Sequence, residues 1–115
     1  MTEIVVVLTT VADNEQAEVL ARQLIDEHLA ACVNLHSGML SFYRWKGQVE
    51  RDAERQMVIK TTRDRVAALE RRLCELHGYE LPEFLVLPVE GGSAEYLSWV
   101  ADQCRADPPD QPRRA

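Results

Sequence analysis

The sequence predicts an α+β domain built on a single antiparallel sheet, and three observations carry that expectation. Four stretches are β-branched or alternate apolar with polar residues at period two. Three others repeat apolar residues at helical spacing. Their order along the chain is β-α-β-β-α-β plus a C-terminal helix. This is the order of the ferredoxin-like split β-α-β arrangement, with two helices on one face of the sheet. The right-handedness of β-α-β crossovers leaves few other topologies for it.

Each element has its own signal. Glu3 to Val11 (EIVVVLTTV) is an almost unbroken β-branched run, as in a strand covered on both faces. Asp13, with Gln16 three residues on, resembles a capping box, and Ala17, Leu20, Ala21, Leu24, Ile25 and Leu29 then repeat at helical spacing. From Ala31 to Trp45 the chain reads as extended. Val33, Leu35, Met39, Tyr43 and Trp45 share its odd positions, and Gly38 marks a bulge or bend. Lys46-Gly47 is a hairpin turn, and the return strand runs through Val49, Met57 and Ile59 to Thr62, with the polar interval ERDAER widening or interrupting the pairing.

A second helix is expected from about Arg63, with Val66, Leu69, Leu73 and Leu76 as its stripe and Gly78 as a left-handed cap. Phe84 to Glu90 is the fourth strand, and its Pro88, which lacks a backbone donor, marks an edge or a bulge. Ser93 caps the last helix, which carries Tyr96, Leu97, Val100 and Cys104 on its apolar side. Residues 1–105 are thus expected to form one domain, and the proline-rich segment 106–115 a disordered tail.

The extended stretch is too long for its domain. Ala31 to Trp45 at ~3.3 Å per residue spans roughly 50 Å, against about 17–20 Å for an ordinary strand. Such a strand overhangs its helices and carries Tyr43 and Trp45 into water. Pairing with further copies of the chain would cover them, and a bend at Gly38 onto the chain's own sheet is the plainer alternative.

Composition narrows the function. With 115 residues and a formal charge of −6, the chain lacks the basic face that nucleic-acid binding requires. The N-terminal apolar run is too short for a signal peptide or a membrane span, so a cytoplasmic protein is expected. Cys32, Cys74 and Cys104 are odd in number and widely spaced, which fits reduced thiols. The first strand–helix turn, TTVADNE, has neither glycine nor a basic residue for a phosphate, and no nucleophile elbow occurs. Strand one also lacks the exposed aromatics of an RNA-binding sheet. The chain is not expected to be an enzyme.

The densest chemistry lies in Cys74-Glu75-Leu76-His77-Gly78-Tyr79-Glu80-Leu81-Pro82-Glu83. Cys74 and His77, three apart at a helix end, would face one point. With Glu80 and Glu83 they make a candidate set for Cu(II) or Zn(II). Plainer roles are open to each: His77 as a helix-end cap, Cys74 as a small filler, Glu80 as an acceptor of backbone bonds. His28 reads as a partly buried or capping residue, and His36 as a ligand only if neighbouring subunits supply partners.

ACVNL (31–35), SFYRWKGQVE (41–50), ERQMVIKTT (54–62), HGYELPE (77–83), LPV (87–89) and YLSW (96–99) together resemble the CutA-type divalent-cation-tolerance proteins, over residues 3 to 104. The resemblance implies a PII-like homotrimer, with Tyr43, Trp45, Phe42 and Trp99 at the subunit interface and high heat stability. It also implies binding of Cu(II) or another divalent cation that folding does not require, with no catalysis, no nucleic acid and no membrane. The family's copper binders use a cysteine near the end of strand one and a His-His pair closing helix two. Here those positions hold Thr9 and Leu76-His77, and Gly78 replaces a proline. The metal candidates are therefore His77, Glu80, Glu83 and Cys74. The alternative is a PII-like regulatory or scaffold trimer that binds a small ligand or partner protein in its intersubunit clefts.

Overall fold

The computed structural model describes residues 3–105; the segment 106–115, expected to be a disordered tail, lies outside the described residues. The elements are β1 (Ile4–Ala12), α1 (Gln16–Asp26), β2 (Cys32–Trp45), β3 (Gln48–Thr62), α2 (Val66–Leu76), β4 (Leu85–Pro88) and α3 (Ala94–Gln103), with a 3-10 turn at Arg63–Arg65 before α2. The strands form one sheet in the order β2-β3-β1-β4, antiparallel throughout. This is the expected split β-α-β arrangement.

Alternation in β1 and β3 determines the two faces. Val5, Val7, Thr9 and Val11 pair with Thr61, Ile59, Met57 and Arg55, so these residues share one side. The two helices press Ala17, Leu20, Leu24, Leu69 and Leu73 onto that side to make the main core. Burying each large aliphatic side chain there contributes roughly 1.5–3 kcal/mol. A smaller cluster of Ile4, Ala31, Val100 and Cys104 joins α3 to the sheet. On the opposite face Leu85 and Leu87 of β4 stand beside Leu8 and Val6, and both leucines are exposed.

The hairpin overhangs as expected. β1 stops pairing with β3 at Ala12↔Glu54, so Leu40–Trp45 and Gln48–Ala53 have only each other. The long dimension of the molecule reaches 50 Å against 28 and 24 Å for the others. Lys46 and Gly47 both have positive φ (50° and 81°), the turn whose twist suits a two-residue hairpin.

Several local details depart from the sequence expectation. The break in register lies between His36 and Met39, where Gly38 has φ +76°, so β3 continues through ERDAER without a gap. The extra residue turns the strand over. Val33 and Leu35 pair with Ile59 and Met57 on the helix side, whereas Tyr43 and Trp45 pair with Glu50 and Gln48 on the open side. The odd positions of β2 do not form one face. The Asp13–Gln16 capping box is replaced by Asn14, whose Oδ1 accepts from the Gln16 amide at 2.9 Å. Gly78 is not left-handed: α2 ends at Leu76, and His77 already has extended backbone (φ −75°, ψ 141°). Ser93 does cap α3, its Oγ accepting from the Tyr96 amide at 3.2 Å. His28 takes the left-handed position after α1 (φ 57°), and its Nδ1 lies 3.0 Å from the Gln103 carbonyl oxygen.

Candidate functional site

The segment after α2 runs back to the sheet, and a few polar contacts hold it there. His77 Nε2 donates to the Thr10 carbonyl at 2.8 Å, and its Nδ1 accepts from the Tyr79 amide at 3.1 Å. The two contacts require the neutral Nε2–H tautomer and use both ring nitrogens. The Tyr79 ring packs beside the imidazole, 4.8 Å between centroids. The Tyr79 hydroxyl then reaches across and donates to Glu54 Oε2 at 2.5 Å. Gln56 Nε2 donates both to the Thr9 carbonyl (2.8 Å) and to Glu83 Oε2 (3.1 Å). This segment is thereby pinned to the middle of β1 and β3.

Between it and the overhanging hairpin lies a cleft of about 720 Å³. Its lining mixes the apolar side chains of Phe42, Tyr43, Trp45 and Leu81 with the carboxylates of Asp52, Glu54, Glu80 and Glu83. Glu54 is only 5% exposed, although in sequence it belongs to the most polar interval of the chain. Tyr43 donates to Asp52 Oδ2. That bond to an acceptor carboxylate, together with burial, pushes the Tyr43 phenol up to about 12. Burial first and the Glu54 carboxylate second raise the Tyr79 phenol as well. Both tyrosines therefore remain neutral donors at physiological pH. At the mouth, Lys46 Nζ lies 3.8 Å from Glu80 and 5.7 Å from the centroid of the Trp45 ring.

The four metal candidates occupy different surroundings. Because the chain leaves helical geometry at His77, the three-residue spacing no longer directs it and Cys74 to one point. Cys74 is exposed on α2. Glu83 bonds Gln56, and Glu80 pairs with Lys46. Among the described residues, no group of three or more His, Cys, Asp or Glu side chains converges as a metal ion needs. Thr9 is fully buried, and its hydroxyl has no hydrogen-bond partner.

Of the four aromatics expected at an interface, Phe42 is 65% and Tyr43 40% exposed, while Trp45 is half-buried on the cleft wall. Trp99 packs against the small cluster under α3 and lies 5.7 Å from the Tyr96 ring. Sequence reasoning missed Glu54 and Gln56. Their signal was the period-two spacing that places them on one face of β3.

The chain is thus a ferredoxin-like α+β domain whose β2–β3 hairpin overhangs its sheet. Residues 5–103 match the family model described as CutA1 divalent ion tolerance protein. The divalent-cation tolerance protein CutA of Thermus thermophilus is 43% identical over 97 residues, 84% of this chain and 94% of that one. The crystal structure of CutA from Xylella fastidiosa superimposes with a TM-score of 0.86 at 40% identity, covering 89% of this chain and 98% of the other. The PII-like protein CutA from Nostoc sp. PCC 7120 gives 0.83 at 38% identity, covering 93% and 100%. The chain belongs to the CutA1 divalent ion tolerance family.

Proposed function

We propose that this chain is the subunit of a cytoplasmic homotrimer that serves divalent-metal tolerance by binding, without catalysis, and that binding takes place in the cleft beneath the hairpin. The observation that carries this reading is the cleft itself, which four carboxylates line together with Tyr43 and Trp45. Trimerisation is supported by the overhanging ribbon and by the bare leucines of β4, two apolar surfaces that further copies of the chain would cover. Residues 1–105 act as one domain in this reading.

Two kinds of occupant fit the proposal. A divalent cation, Cu(II) or another, would be attracted by the carboxylates. It would use Glu80 and Glu83 with His77, once His77 gives up its amide partner, and with Cys74 only after a rearrangement of the end of α2. The PII-like alternative is a small ligand or partner protein held where subunits meet. The engagement of both His77 nitrogens favours this second reading.

Native mass spectrometry of the tagless protein, before and after Cu(II) and Zn(II), separates the two. Three subunits retaining three metals, with retention lost in His77→Ala, would establish the cation reading. Three subunits with only non-saturating adducts would leave the ligand reading. A monomer would overturn the assembly and the proposal with it.

A further inference from the structure

We infer that copies of the chain pack front to back along the projecting ribbon: the helix side of one ribbon seats on the open side of the next, and Arg44 and Arg51 of one copy meet Glu50 and Asp52 of its neighbour. The inference rests on the assembly proposed above and adds which surfaces meet. Its ground is the way the ribbon sorts its charges. Along β3 the acids Glu50, Asp52 and Glu54 alternate with Arg51, Ala53 and Arg55, so period two sends acid and base to opposite faces. Glu50 and Asp52 stand across from Tyr43 and Ser41 on the open side. Arg51 stands across from Phe42 on the helix side, where Arg44 of β2 joins it across from Val49. A ribbon stabilised from within sets opposite charges directly across from each other. From Met39–Glu54 to Trp45–Gln48 this one has no such pair. Among the described residues Arg44, Arg51 and Glu50 have no ion-pair partner at all.

Apolar surface is divided between the faces as well. Leu40 and Val49 are bare beside the arginines, and Tyr43 and Trp45 lie among the acids. Each face therefore carries the charge the other lacks, together with apolar side chains to cover. Two copies meeting by the same face would set Glu50 and Asp52 against their own counterparts, or Arg44 and Arg51 against theirs, and like charges brought together oppose association. That selects against a two-fold dimer through the ribbon and for a head-to-tail contact, the kind that closes into a ring. An acidic partner protein would suit the arginines but leave Tyr43, Glu50 and Asp52 in water. A second copy accounts for both faces with one contact. Asp52 also lines the cleft, so the arginine that reaches it comes from the next subunit, and the cleft is complete only in the assembly.

The test is sedimentation of the full chain over a dilution series, with far-ultraviolet circular dichroism to confirm that each variant is folded. The double variant Arg44→Glu/Arg51→Glu makes both faces acidic and should raise the concentration at which the assembly dissociates by about tenfold. Adding Glu50→Arg and Asp52→Arg to it inverts both faces, restores their complementarity and should return dissociation to within about threefold of wild type. Sodium chloride supplies an independent reading: it should weaken the wild-type assembly and strengthen that of the double variant, because one contact is attractive and the other repulsive. A double variant that assembles like wild type, a folded inversion no better than the double variant, or the same salt response in both would overturn the front-to-back contact while leaving the assembly standing. A two-fold dimer would overturn it too. A wild-type chain that is monomeric throughout would take down the assembly reading and this inference together.

Discussion

β2 and β3 are the same two strands at both ends of the molecule, but their surroundings differ completely. At one end Met57 and Ile59 lie under α1 and α2 with no exposed surface. At the other, Leu40–Trp45 and Gln48–Ala53 form a ribbon with no further strand beside it, and Phe42 and Val49 are about two-thirds bare. A two-stranded ribbon is marginal alone in water, whereas a helix-covered sheet is not. The difference teaches that strand length here is set by two separate needs. The inner half is covered by its own helices, and the outer half leaves its apolar side chains largely bare.

Three substitutions can break or sharpen this contrast. Leu69→Ala, in the helix-covered half, removes a side chain with no solvent exposure. It should lower subunit stability by about 3–5 kcal/mol, read from chemical denaturation. An effect below 1 kcal/mol would mean that this half is not the folding core. Trp45→Ala should act on the other half. We expect it to weaken assembly by about 3 kcal/mol per site while leaving the far-ultraviolet circular dichroism of the subunit unchanged. Sedimentation over a dilution series checks this, and an assembly unaltered at nanomolar concentration would place Trp45 outside the proposed interface.

The smallest effect has the opposite sign. Thr9 is the flaw in the inner half, a buried hydroxyl without a partner. Thr9→Val keeps its shape and removes an unsatisfied group, so it should stabilise by about 1 kcal/mol. A loss of stability would show that the hydroxyl has a partner in the assembled protein.

Much of the fold was legible because the signals were local. The unbroken apolar run of β1, the stripes of α1 and α2, the Lys46-Gly47 turn and the Ser93 cap each depend on neighbouring residues, and each fell where expected. What the sequence hid was register and the ending of a helix. Gly38 signalled a bulge, but that it reverses which side Tyr43 and Trp45 occupy follows only from the pairing. His77 looked like the last turn of α2, yet its bonds to Thr10 and Tyr79 draw the backbone out of the helix. Glu54 looked solvated because its neighbours are charged. Its burial comes from Tyr79, which is distant in the chain.

The reversal at Gly38 bears on how relatives of this chain are compared. A single residue gained or lost between His36 and Met39 would leave composition and hydropathy almost untouched and would look like a trivial gap in an alignment. Physically it would exchange inside for outside along the whole projecting ribbon. Tyr43 and Trp45 would then turn from the open side of the sheet to the helix side, the side that Phe42 now shares with its partner Arg51. Length at this point, rather than residue identity further along, decides what the hairpin shows to its surroundings.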